Sequence, residues 1–268
     1  MRYFIHIGYH GKRYSGWQKH PGMLTVQGIL ESALSRVLKT PVAIIGCGRT
    51  DVQVHASQFF FHVDIEKDWQ FDLFFRMNKM LPDDIAVFDI IPMQGQPHAR
   101  FDAIQRTYDY FIHSYKDPFL CGFSSLYEEW QLDLDAMKTA VSMLPNYTDY
   151  RAFCKCPDRI DHTLCYVSKA NLFIDSTGDR LRFHISANRF LSKMIRIIMG
   201  RLLEIGRGQM SVDQFEYHLA NKKTPRNIIP AHPQGLYLSK VTYPYLDIPP
   251  ATMFVSGATS LSAEWQEI

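Results

Sequence analysis

The spacing of apolar residues between Arg2 and Ile91 confines this chain to a small set of folds. Residues 2–9 put Tyr3, Ile5, Ile7 and Tyr9 on one side at period two, as a strand does. From Val26 to Lys39 the period changes. Apolar residues at 26, 29, 30, 33, 34, 37 and 38 form the stripe of an amphipathic helix, with Thr25 placed to cap its start and Pro41 to block its continuation. VAIIGC (42–47) reads as a strand, as does 57–65, where Phe59, Phe61, Val63 and Ile65 alternate with Gln58, Phe60, His62 and Asp64. A helix over 71–81 and a strand over 84–91 complete the order βαββαβ.

After the breaker-rich PMQGQPHAR (92–100) the order recurs. It predicts a strand at 105–113, a helix at 134–144, strands at 164–174 and 181–187, a helix at 190–205 and a strand at 235–243. One extra helix, 211–220, has Ser211 and Gln214 spaced as a capping box. The expectation is an α/β (α+β) chain of two ferredoxin-like βαββαβ halves, 1–100 and 101–245, with mixed, mostly antiparallel sheets flanking a cleft, and an irregular tail over 246–268. Such an architecture defines no chemistry, and a two-module RNA-binding protein without catalysis fits it as well as an enzyme does.

Composition narrows the classes. With 46% hydrophobic residues in 268 the chain can bury a large core, and it has no apolar run of membrane-spanning length. The start MRYFIHIGYH alternates like a strand instead of following a secretory pattern, so a soluble, non-secreted protein is expected. Five cysteines, an odd number, suit free thiols in a reducing cytoplasm. The net charge is only +2, so any nucleic-acid surface has to arise from clustered Lys and Arg.

Four segments carry candidate chemistry. GRTDVQVHAS (48–57), between two strands, gathers Arg49, Thr50, Asp51 and His55 where a turn alone would serve. In RTYDYFIH (106–113), Arg106, Tyr108, Tyr110 and Ile112 share a strand face, so Tyr108 is either a stacking platform or core packing. In ANRFLSKMIRIIMGRLLEIG, Arg189, Lys193 and Arg196 fall on one predicted helical face, and Gly200 one turn on hints at close approach of another group. YHGKRYSGWQKH (9–20) interleaves Lys12, Arg13 and Lys19 with Tyr14 and Trp17, a mixture used to hold phosphates and stack bases. Cys154, Cys156, His162 and Cys165 lack zinc-ribbon spacing, and no nucleotide-binding or metalloprotease motif occurs.

Along almost its whole length the sequence resembles the tRNA pseudouridine synthase A (TruA) family. The resemblance is carried, in order, by YHGKRYSGWQ, TVQGILESAL, GRTDVQVHA, NKMLPDDIAV, HARFDAIQRTYDYFI, ANRFLSKMIRIIMGRLLEIGRG and PQGLYLSKVTY. It implies isomerisation of uridine to pseudouridine at positions thirty-eight to forty of the tRNA anticodon arm by a cofactor-free, metal-free, cytoplasmic homodimer. It also implies Asp51 as nucleophile, Arg196 as the arginine that keeps that carboxylate ionised, and Tyr108 as the tyrosine packed on the target base. Arg49 matches the basic residue that helps turn the nucleotide out, while Lys12, Arg13, Arg100 and Lys193 are assigned to phosphates.

One residue departs from the family pattern: Gln53 stands where a glycine is usual. A glycine there serves either a positive φ or close approach of RNA. The surrounding match predicts a working enzyme with Gln53 at negative φ or in a tolerated left-handed conformation. A catalytically silent RNA-binding relative and a synthase with another RNA target are the alternatives.

Overall fold

A computed structural model describes residues 1–66, 69–128, 130–223, 228–251 and 265–268. In chain order the elements are β1 (Arg2–Tyr9), α1 (Val26–Leu38), β2 (Ile45–Gly46), β3 (His55–Asp64), α2 (Leu73–Met80), β4 (Ile85–Met93), β5 (Gln105–His113) and β6 (Ser125–Leu126). There follow α3 (Leu134–Met143), β7 (Val167–Asp175), β8 (Arg180–Ala187), α4 (Met194–Gly206), α5 (Val212–Asn221), β9 (Leu236–Thr242) and β10 (Trp265–Glu267). The described residues divide into two compact units, 1–104 with 237–251, and 105–236 with 265–268.

In the first unit β4, β1, β3 and β2 are neighbours in that order and all pair antiparallel, the arrangement of a ferredoxin-like βαββαβ motif. Beyond the expected strands, β3 also takes β9 in parallel at His55 and Ala56. The alternation in β3 does not separate core from solvent: Phe59, Phe60 and Phe61 are all buried, as are Gln58 and His62. The face of Gln58, Phe60 and His62 is covered by β9 and the chain that follows it, where Gln58 accepts the Val241 N–H (2.9 Å) and donates to the Ile248 carbonyl (3.0 Å). Both ends of that buried amide are therefore satisfied. Helix α1 begins as its cap predicts, with Thr25 Oγ1 accepting the Gly28 N–H, and buries Val26, Leu30, Ala33, Leu34 and Val37.

In the second unit β10, β7, β8 and β5 are neighbours, all antiparallel, with β6 parallel to β5. Trp265–Glu267 thus form a strand where irregular chain was expected, while 252–264 lie outside the described residues. Helix α5 carries both halves of the Ser211/Gln214 capping box. Helix α4 starts four residues later than its apolar spacing predicts, because Lys193 sits at φ +59°, outside the helical region. Of the three basic residues read onto one helical face, only Arg196 is in the helix; Arg189 and Lys193 precede it. No helix among the described residues is long and apolar enough to cross a membrane.

Candidate active site

The loop between β2 and β3 is held from beneath by the segment after β1. The Trp17 N–H donates to the Thr50 carbonyl (3.2 Å), and the Gln53 N–H to the Tyr14 carbonyl (3.2 Å). The Tyr9 hydroxyl bonds Thr50 Oγ1 at 2.8 Å. Inside the loop the Val54 N–H closes a turn on the Asp51 carbonyl (3.2 Å), which places half-buried Asp51 at the turn's first position with Val52 and Gln53 exposed. This contact needs glycine on the other side. A Cβ on Gly11 would come within 2.0 Å of the Val54 carbonyl oxygen, and Gly16, at φ +89°, would put one 2.6 Å from that of Thr50.

His55, gathered into the same loop as Asp51, is fully buried and holds the loop to the segment after β1. Its buried Nδ1 accepts the Gly11 N–H at 2.9 Å, so that nitrogen carries no proton. The ring stacks on Tyr237 with planes at 19° and meets His10 at a tilt of 36°, each centroid 4.4 Å away. The pair of glycines in YHGKRYSGW was the available signal, since two glycines at Gly11 and Gly16 mark backbone that another segment must approach.

The other residues predicted in this unit divide. Arg49 and Arg100, both exposed, line one depression of about 150 Å³ together with Trp17, Gln27, Ile44 and Gly48. Lys12 is exposed, whereas Arg13 is tied through Nε to Asp84 (2.7 Å), which also accepts the Tyr14 hydroxyl (2.6 Å). These two donors hold the Asp84 carboxyl below its ordinary range against the opposing effect of burial. The aromatic residues read as base-stacking partners are structural: Tyr14 and Trp17 are buried, and Trp17 stacks on Phe59 at 4.0 Å. Lys19 is paired with Glu31 at 2.8 Å.

In the second unit Tyr108, half-buried on β5, meets Phe190 edge to face with centroids 5.1 Å apart. Arg196, in the first turn of α4, is fixed twice to one residue: its Nε donates to the Ala231 carbonyl (2.7 Å), and its own carbonyl accepts the Ala231 N–H (2.8 Å). The role of Gly200 follows. A Cβ there would stand 2.5 Å from the Ile229 carbonyl oxygen, so the close approach that the glycine predicts is made by the chain's own 229–231 segment. Lys193 is half-buried at the helix start.

A family model described as tRNA pseudouridine synthase matches residues 147–244. The chain is 41% identical to the tRNA pseudouridine synthase A of Parabacteroides distasonis over 249 residues, covering 91% of this chain and 96% of that protein. It is 38% identical to the protein of the same name from Porphyromonas gingivalis, over 91% of this chain and 97% of the relative. The chain belongs to the tRNA pseudouridine synthase A family.

Proposed function

We propose that this protein isomerises uridine to pseudouridine in the anticodon arm of tRNA, at positions thirty-eight to forty. The reaction breaks the bond from ribose C1′ to uracil N1 and forms one from C1′ to C5. N1 gains a proton and C5 loses one, so the atoms balance without a redox partner. What it needs is a nucleophile that outlives the turning of the base.

The observation that carries the reading is the loop of Arg49 to His55. A carboxylate at the first position of a closed turn, braced from below by backbone hydrogen bonds, is a nucleophile that does not have to be ordered during the reaction. In this reading Asp51 attacks the nucleotide, and Tyr108 and Arg196 complete the catalytic set by their match to the family's residues. Arg49 assists in turning the nucleotide out, and Lys12, Arg13, Arg100 and Lys193 contact phosphates. A homodimer acting in the cytoplasm, where tRNA is matured, completes it.

Pseudouridine mapping of total tRNA from cells lacking the protein tests the proposal. The anticodon-arm signals at these positions should vanish and return on re-expression of the wild type, and not of Asp51→Asn. Unchanged maps refute the substrate.

A further inference from the structure

The turn His98–Asp102 presents a ring that neither the core nor the chemistry above employs. Phe101 is 75% exposed, yet the backbone beneath it is fixed. His98 Nδ1 accepts the N–H groups of Arg100 (3.1 Å) and Phe101 (3.2 Å). Asp102 accepts the His98 N–H (2.8 Å) and returns its own N–H to the His98 carbonyl (3.1 Å). Buried Ala99 is clamped from both ends, its N–H on His62 Nδ1 (3.1 Å) and its carbonyl under the Tyr243 hydroxyl (2.6 Å).

A lone exposed phenylalanine is ordinary on a protein surface. This one differs in three respects. One face already stacks on His98, with centroids 4.2 Å apart and planes at 27°, and the high exposure leaves the rest of the ring in water. The Arg100 guanidinium lies 5.8 Å from the ring centroid, and Arg100 shares its depression with Arg49, two residues from Asp51. The ordering cost of the platform is met within the protein, by the turn's own hydrogen bonds, before any ligand arrives.

We infer that Phe101 is a substrate-binding residue, the stacking platform for an unpaired nucleobase of the RNA, with Arg100 beside it engaging that nucleotide's phosphate. A flat ring extends the His98–Phe101 stack by one member, and an adjacent cation suits a ligand that is aromatic and anionic at once. The inference deepens the RNA-isomerase reading and rests on it.

The test uses a synthetic anticodon stem-loop RNA as both ligand and substrate. Phe101→Ala should raise KM roughly tenfold, as expected for loss of one base–aromatic stack, with kcat changed less than about threefold. Phe101→Leu should behave nearly as badly, because it keeps apolar area and loses the flat face, while Phe101→Trp should bind like wild type. In the Phe101→Trp variant the fluorescence added over wild type should be quenched when the RNA binds. Wild-type KM in Phe101→Ala, or an unquenched signal, overturns the inference. So does conversion of Phe101→Ala to a smaller species by sedimentation with unchanged RNA affinity, which would mean that a second copy of the chain covers the ring. A wild-type protein that neither binds nor modifies the RNA sinks the underlying reading instead, and the inference with it.

Discussion

Gln53 occupies the left-handed region at φ +63° while donating its backbone N–H to the carbonyl of Tyr14 at 3.2 Å. Both facts belong to the same turn. The loop has to reverse after Asp51 to meet β3, and the N–H must face Tyr14, so the backbone takes a conformation that favours glycine and the side chain bears the strain. Of the two outcomes expected for this residue, the left-handed one is found.

Replacing Gln53 with glycine should therefore stabilise the protein by about 0.5–1 kcal/mol, the left-handed penalty less the extra chain entropy of glycine. Its turnover should differ from wild type by less than about tenfold, since the backbone path that places Asp51 is unchanged. Chemical denaturation and single-turnover rates measure both. A destabilised Gln53→Gly protein would show that the side chain contributes more than strain.

Asp51→Asn should abolish pseudouridine formation and leave affinity for tRNA within a few fold, because it removes the nucleophile and little of the phosphate-binding surface. Filter binding beside tritium release from C5-labelled tRNA separates the two effects. Near-wild-type turnover would remove Asp51 from the mechanism.

Gly200→Ala is expected to lower kcat at least tenfold without touching substrate. The added methyl group would displace the 229–231 backbone, whose Ala231 carbonyl orients Arg196. Arg196→Met should be more severe, and the double variant no worse than Arg196→Met alone, since both changes act through one group. Additive losses would break the link between Gly200 and Arg196.

Acid should erode the first unit in a defined window. Burial, the largest cause, pushes His6 and His62 down to about 4 from an ordinary value near 6.5. Both are neutral in the folded protein and protonate readily once unfolded. Their contribution to stability is complete above about pH 6.5 and is lost progressively as pH falls towards 4. Because His62 Nδ1 accepts the Ala99 N–H, its protonation also unseats the turn bearing Phe101. Melting temperature should fall from pH 6.5 to 4.5, less so in His62→Gln, and a flat profile would contradict the assignment.

Binding of tRNA should weaken by several units of log K per unit of log salt if several of the proposed basic residues meet phosphates. Arg100→Ala should reduce that slope by about one, whereas Arg13→Ala should also loosen the loop, because Arg13 is engaged with Asp84. Equal slopes for wild type and Arg100→Ala would remove Arg100 from the phosphate contacts.

Periodicity alone located most elements, and β5 matches its predicted span of 105–113 residue for residue, because side-chain spacing is a local property of the chain. The caps of α1 and α5 were equally legible, each being a contact within four residues. The ordered motifs pointed to the family and to Asp51. What sequence could not reveal was decided by partners distant in the chain. The late start of α4 depends on a left-handed Lys193, the burial of Gln58 on the return past Ile248, and the seat of Arg196 on a segment thirty-five residues away. In His55 and His62 the Nδ1 atom becomes a bare acceptor because Gly11 and Ala99 are brought against it, and only the folded chain makes that choice.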